Sequence, residues 1–131
     1  MFKATGAFGS IHVDCPDTFP NNIARLNWIF NSENSYIEWF DVLPNKHGTN
    51  QNNPPGDAVL SYSGNSVKLA YKIKLDGLNI INTGIPHRAV RGSGNRFCYA
   101  FCLKYINGTH QNRLEWVEAV EILKPWIVED F

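Results

Sequence analysis

The chain has 131 residues, enough for one domain that buries a core without disulfide or metal staples. Apolar residues make up 44% of it, which excludes a mainly disordered protein. Twelve basic and twelve acidic residues give zero formal net charge, which argues against a protein that binds nucleic acid over its whole surface. A site for one base and a few phosphates is compatible with this charge, because local clustering matters more than the sum.

The first predicted strand is "GSIHVD", within an N-terminal extension of residues 1–23 that packs on a core of residues 24–131. On this strand His12 and Asp14 share a face while Cys15 points away, so a surface contact between His12 and Asp14 is expected instead of an activated thiol. The N-terminus lacks the apolar run of a signal peptide, and no segment is long and apolar enough for a membrane span.

Two further strands are predicted at "ARLNWIF" and "SYIEWFDV", separated by the polar break "NSENS". Residues 43–56, "LPNKHGTNQNNPPG", are predicted to form a long loop. The stretch "GDAVLSYSGNSVKLAYKIK" then predicts a hairpin of two strands around the turn "SGNS". Its second strand alternates between an apolar face (Val67, Leu69, Tyr71, Ile73, Leu75) and an outer face rich in lysine (Lys68, Ala70, Lys72, Lys74).

"RFCYAFCLKYI" alternates like a strand, with its aromatic residues on one face. "RLEWVEAVEIL" is ambiguous. Asn112 and Glu115 have the spacing of a helical capping box. The glutamates of the segment would scatter around a helix, however, which favours a strand paired back onto residues 97–106. Six to eight short strands with Gly, Pro and Asn turns predict a mainly β fold, a small twisted β-barrel with short helices or turns, or alternatively a β-sandwich.

The three cysteines, Cys15, Cys98 and Cys102, are predicted to be reduced thiols in a cytoplasmic compartment. Cys98 and Cys102 would lie roughly 13 Å apart along a strand, too far for a disulfide. The four histidines (12, 47, 87 and 110) do not form pairs with metal-ligand spacing, so no metal site is predicted. Residues 47 and 87 are expected in solvated loops. No diagnostic catalytic motif is present, and no cofactor is predicted.

Aromatic and basic residues form the remaining signal. Trp28, Trp39, Phe40 and Tyr62 lie close to polar segments, and one stretch with a single acid carries six cations: Lys68, Lys72, Lys74, Arg88, Arg91 and Arg96. A solvated outer face explains the cations most simply. The alternative is a basic strip beside an aromatic pocket, in which rings stack on a base and the cations contact phosphates.

Three segments, taken in order, carry a family resemblance over residues 24–131: "LNWIFN", "GDAVLSYSGNSVKLAYKIK" and "WVEAVEILKPWIVEDF". They are similar to the opening strand, the "GD-x-V-x-x-Y" core strands and the closing strand with an acidic tail of PUA-like domains, the superfamily that includes the EVE, YTH and ASCH families. The resemblance implies a small barrel that takes one base, often a methylated one, into an aromatic cage.

On this resemblance Trp39 stacks on the base, Asn31 and Ser32 contact its edge, Tyr62 closes the pocket, and Trp28 is a further base-binding residue. The implied partner is DNA or RNA that carries a modified base, flipped out of the duplex where necessary. Such domains also serve modification-dependent restriction systems, so a nuclease or motor protein is a further expected partner. The alternative function is a lectin-like carbohydrate-binding module, since Trp, Tyr and Asn-rich loops also suit sugars. A small β-barrel enzyme is a third hypothesis.

Overall fold

The computed structural model describes residues 9–14, 23–30, 33–53, 57–92, 96–103 and 114–128. In these ranges lie nine strands, one α-helix and two short 3₁₀ turns, at Gly64–Ser66 and Lys124–Trp126. The strands are β1 (Ile11–Asp14), β2 (Ala24–Phe30), β3 (Tyr36–Val42), β4 (Thr49–Asn53), β5 (Asp57–Tyr62), β6 (Val67–Ile73), β7 (Gly77–Asn82), β8 (His87–Val90) and β9 (Phe97–Cys102), and the helix is α1 (Trp116–Leu123).

The strands form two antiparallel sheets. A six-stranded sheet has the order β4-β5-β1-β8-β3-β6 and curls into a half-barrel, and a three-stranded sheet has the order β7-β2-β9. The mainly β fold predicted from the sequence is therefore confirmed. Among the described residues, no helix is long and apolar enough to cross a membrane.

The two faces of the six-stranded sheet have different partners. One face carries the apolar cluster of Ile11, Phe40 and Val67, against which Tyr62 packs. The opposite face is turned toward the three-stranded sheet, because the Arg25 side chain on β2 reaches Asp14 on β1 with an Nε–Oδ2 distance of 3.1 Å. Residues from both sheets are thus available to build a site between them.

Three sequence predictions about strand pairing are corrected by the structure. The predicted hairpin between β5 and β6 is wrong, since β5 pairs with β1 and β4 while β6 pairs with β3. The predicted loop of residues 43–56 contains β4, which pairs with β5. The predicted N-terminal extension contributes β1 as an interior strand between β5 and β8. The alternation of apolar and polar residues within a segment indicates a strand, but it does not identify the strand with which that segment pairs.

The predicted strand at residues 113–123 is also wrong, because Trp116–Leu123 forms helix α1. Glu115 occupies the N-cap position with an extended backbone and no side-chain cap hydrogen bond, so the proposed capping box is not the cause. The apolar residues that are at least partly buried are Trp116, Ala119, Val120 and Leu123, at helical spacing i, i+3, i+4 and i+7. This stripe decides the structure, while the scattered glutamates lie on the remaining surface.

A register shift in β6 divides its lysines between two faces. Trp39 pairs with Tyr71 but Phe40 pairs with Leu69, which leaves Ala70 as an extra residue in β6. Such a bulge reverses the alternation of the strand that carries it. Lys68 therefore shares the face of Trp39, whereas Lys72 lies on the opposite face, and the single lysine-rich face predicted from the sequence is not formed.

Candidate functional site

An open cavity of about 470 Å³ lies where β3 and β6 meet β7 and the start of α1. Its lining is mainly apolar and includes three large rings from different elements: Trp39 on β3, Tyr71 on β6 and Trp116 on α1. The other lining residues are Phe40, Asp41, Ala70, Ile73, Leu75, Ile80, Ile81, Asn82 and Ile85. A cavity of this size and composition is typical of small-molecule sites.

Trp39 is held in place at one side of this cavity. Its indole Nε1 donates a hydrogen bond of 3.1 Å to the backbone carbonyl oxygen of Asn82, so the polar edge of the ring is satisfied. Tyr71, directly opposite on β6, has its ring centroid 6.1 Å from that of Trp39, with 37° between the ring planes. The ring is therefore fixed by contacts on the protein side while it lines an accessible cavity.

Polar side chains are few in the described lining. Apart from the Tyr71 hydroxyl and the indole N–H groups, they are Asp41, which is exposed, and Asn82, whose Oδ1 accepts a hydrogen bond of 2.9 Å from the Gly84 backbone N–H. Lys68 pairs with Asp41 in the strand register and is the predicted phosphate-binding residue on the cavity face of β6. One carboxylate and one lysine thus lie on the cavity face beside an apolar, aromatic interior.

The structure does not gather the predicted base-binding residues around Trp39. Trp28 is 47% exposed on β2, where its ring packs 4.9 Å from that of Phe30, and it is not among the cavity residues. Tyr62 packs on the core cluster of the other sheet face. Asn31 and Ser32 lie outside the described residues. The rings that the structure places with Trp39 are Tyr71 and Trp116, which sequence reasoning missed because strand register and helix packing bring them there.

Two of the predicted phosphate-binding cations are engaged with a buried carboxylate. Arg88 Nε donates a hydrogen bond of 2.7 Å to Oε2 of Glu38, and Lys72 Nζ lies 3.5 Å from Oε1. Lys72 also lies over the ring of Tyr36, and Arg88 over the ring of Phe40. These cations are on the face opposite the cavity. Of the other predicted cations, Lys74 follows β6, Arg91 follows β8 and Arg96 precedes β9.

A second cluster of polar side chains lies on the same sheet face as Trp39. His12 and Asp14 are in contact, with 3.3 Å between Nε2 and Oδ1, which confirms the predicted pair, although it is mostly buried. The prediction of a solvated loop position for His87 is wrong. His87 begins β8 directly opposite His12, is only 7% exposed, and has its ring centroid 4.7 Å from that of His12.

The pKa values of this cluster are displaced in different directions. Burial would lower the pKa of His12, but its hydrogen bonds to Asp14 and to the Ser10 carbonyl oxygen outweigh burial and raise it above 6.5. Burial would raise the pKa of Asp14, but the hydrogen bond with His12 and the charge of Arg25 lower it below 3.8. For His87, burial and the nearby charge of His12 lower the pKa below 6.5.

The pair of His12 and Asp14 gives a pH-dependent contribution to stability. Because the folded state raises the pKa of His12, this contribution is fully present below pH 6.5 and is lost as pH rises through the folded-state value. We therefore expect His12→Gln to lower the free energy of unfolding more at pH 6 than at pH 9, where Asp14 stays ionised throughout. Urea unfolding in EDTA, with exposed His47→Gln as control, measures this. An equal or larger loss at pH 9 would contradict the assignment.

The chain was also compared with known proteins. No family model matches it, and neither the curated proteins nor the solved structures contain a match. Functional arguments therefore depend on the cavity and the cluster themselves.

Proposed function

We propose that this protein is a binding module that takes a single base of DNA or RNA into the cavity lined by Trp39, Tyr71 and Trp116. The observation that supports this most directly is the fixed Trp39 ring at the wall of an open, aromatic cavity. The PUA-like resemblance of the sequence points to the same class of ligand, and to a modified base in particular.

The cavity suits a flat ring better than an irregular ligand. Base–aromatic stacking contributes roughly 1–3 kcal/mol per base and needs only an accessible ring face. Trp39 has its N–H already bonded to Asn82, so stacking costs little further ordering of that side chain. The apolar side chains of Ile73, Ile80 and Ile85 complete a wall that would accept a methyl substituent on the base.

The edge of the base would be read by Asp41. An ionised carboxylate only accepts hydrogen bonds, so it pairs with the exocyclic amino group of cytosine, adenine or guanine and not with the exocyclic carbonyl oxygens of uracil or thymine. Lys68 is opposite Asp41 in the strand register and would contact a phosphate of the bound nucleotide. We accordingly propose that the preferred base is a methylated one that carries an exocyclic amino group, such as methylated cytosine or adenine.

A base inside a duplex must first be extruded, at a cost of a few kcal/mol that stacking and edge contacts offset. Single strands and mismatched sites should thus bind more tightly than intact duplexes. The role of specificity domain in a modification-dependent restriction system, with a nuclease or motor as partner, fits this mode of binding. The described thiols, Cys98 and Cys102, are both free, in keeping with the proposed reducing, cytoplasmic location.

The carbohydrate alternative is less well supported by the cavity. Sugar hydroxyl groups need many hydrogen-bond partners when they are buried, and the polar groups of the described lining are few: the side chains of Asp41 and Asn82, the Tyr71 hydroxyl and the Trp116 indole N–H. Carbohydrate binding is nevertheless a useful competing outcome, because it should respond weakly to salt whereas contacts with phosphates weaken as salt increases.

A panel of short fluorescent oligonucleotides tests the proposal. Single strands with one central methylated cytosine, methylated adenine, unmodified base or abasic site are titrated with the protein at 50 and 200 mM salt. We expect the methylated strands to bind most tightly, the abasic strand to bind at least fivefold more weakly, and all of them to weaken at the higher salt concentration. Equal affinity for methylated and abasic strands, or salt-independent binding to oligosaccharides alone, would exclude base recognition.

A further inference from the structure

Two imidazole rings and one carboxylate converge between the two sheets. His12 and Asp14 lie two residues apart on β1, and His87 on the neighbouring strand β8 is paired with His12. The nitrogen and oxygen atoms that these three side chains offer all lie within 4.8 Å of one another. This convergence depends on the pairing of distant strands, which is why the spacing of histidines in the sequence gave no indication of it.

The distances are close to those of a metal site. Nitrogen and oxygen ligands 2.0–2.2 Å from a tetrahedral ion lie roughly 3.3–3.6 Å from one another. Nε2 of His12 and Oδ1 of Asp14 are 3.3 Å apart and already have this spacing. The other separations are at most 4.8 Å, so they exceed this spacing by no more than about 1.5 Å, which rotation of the side chains can remove.

The outer contacts of the three side chains also match those of metal ligands. Nδ1 of His12 lies 2.8 Å from the carbonyl oxygen of Ser10, and Nδ1 of His87 lies 2.8 Å from that of Ile85. With Nδ1–H donated to a carbonyl, each ring keeps its Nε2 lone pair for a ligand. Arg25 contacts Oδ2 of Asp14, which leaves Oδ1 directed to His12. Backbone and side-chain partners of this kind orient ligands around metals.

One further buried polar atom beside the cluster has no hydrogen-bond partner among the described residues. Ser61 on β5 is directly opposite His12 on the same sheet face, and its Oγ is buried without a hydrogen-bond partner in the described part of the chain. Buried hydroxyls usually have a partner. A water molecule bound to an ion at the cluster would provide one, because three protein ligands leave at least one coordination position open.

We propose that His12, Asp14 and His87 bind one divalent first-row transition metal ion. Two imidazoles and a carboxylate suit zinc, iron or cobalt, whereas calcium and magnesium prefer sites made of oxygen ligands alone. The ion can enter beside His12, whose side chain is 27% exposed. Arg25 is the cation that faces the site from the second sheet, and its charge opposes that of the ion while its contact orients Asp14.

The site is separate from the base-binding proposal but adjacent to its cavity. Trp39 and His87 are paired in the register of β3 and β8 and therefore point to the same side of the sheet. A ligand that occupies the cavity would lie on the sheet face that carries the ion. Metal binding can nevertheless be measured without any nucleotide, so failure of one proposal does not imply failure of the other.

The test uses the 131-residue chain, treated with EDTA and then dialysed. Isothermal titration calorimetry with zinc should give one site per chain. Cobalt should give visible absorption without sulfur-to-cobalt charge-transfer bands, because such bands would indicate cysteine ligands. We expect His87→Ala and Asp14→Asn to weaken binding at least tenfold, while the exposed-residue control His47→Ala leaves it unchanged. Circular dichroism of each variant establishes that it is folded.

If a variant fails to fold, measurements on the wild-type protein still test the proposal. The proposal is wrong if the wild type does not bind zinc and cobalt stoichiometrically at micromolar concentration, or if its cobalt spectrum is dominated by thiolate bands. Equal affinity in wild type and folded His87→Ala would place the ion elsewhere and would also reject the assignment.

Discussion

Replacement of Glu38 by alanine is expected to lower the free energy of unfolding by about 3 kcal/mol. Breaking a buried ion pair by removal of one partner typically costs about 3–5 kcal/mol, because the other charge stays desolvated. Glu38 is 5% exposed and is shared by Arg88 and Lys72. Both cations keep some solvent contact, which places the expected loss at the lower end of that range.

Urea unfolding of the wild type and Glu38→Ala measures this loss, with Glu121→Ala as the matched control. Glu121 also faces a lysine, Lys124, at 3.9 Å, but both side chains are mostly exposed, so its loss should change stability by less than about 0.5 kcal/mol. Similar effects of the two substitutions would show that the network around Glu38 is no more than a surface contact. Each variant removes one carboxylate, so a difference between their losses of stability reports the burial of the carboxylate and not the change in net charge.

The ion pairs of Glu38 with Lys72 and Arg88 explain why the positions of cations in the sequence did not predict a phosphate site. Lys72 and Arg88 contribute to a basic strip when the sequence is read in order, yet each neutralises Glu38 across strands. Alternation within "SVKLAYKIKL" places Lys68 with Lys72, but the extra residue Ala70 puts them on opposite faces. Bulges and cross-strand ion pairs arise from the partner strand, so a single segment contains no signal for them.

Strands were predicted well where their own side chains alternate. β2, β3 and β9 coincide with runs in which one face is buried or aromatic, and local periodicity is sufficient for these. β4, "TNQNN", has no apolar alternation and exists because β5 supplies its hydrogen-bond partners. Helix α1 did have a sequence signal in its apolar spacing, which was outweighed by the positions of its glutamates.

Both candidate sites required knowledge of strand pairing. Trp39 was identified from its aromatic character beside polar segments, but its neighbours Tyr71 and Trp116 come from β6 and α1. His12 and His87 are 75 positions apart in the chain and become neighbours only because β1 and β8 are adjacent. Contacts at such separation follow from topology, and topology was the part of the prediction that failed, as with the β5–β6 hairpin.

Replacement of Trp39 by alanine is expected to weaken binding of a methylated oligonucleotide by about 5- to 150-fold. This range follows from a stacking contribution of about 1–3 kcal/mol per base, since each 1.4 kcal/mol corresponds to a factor of ten. The substitution also removes the hydrogen bond to Asn82, so a loss of stability is expected in addition. Urea unfolding of the variant establishes that binding is measured on folded protein.

The matched control is Trp28→Ala, which removes the same ring from the exposed face of β2 and should leave affinity unchanged. Tyr71→Ala provides a second variant in the cavity. Its side chain is 59% exposed, so its loss should disturb the fold less than that of Trp39 while it still removes a stacking surface. If Trp39→Ala and Tyr71→Ala are folded and bind as tightly as Trp28→Ala, the cavity does not hold the base. If only Trp28→Ala loses affinity, the binding surface is instead the aromatic face of the three-stranded sheet. Trp28 lies on that sheet and Trp39 lines the cavity, so the two substitutions distinguish the two surfaces.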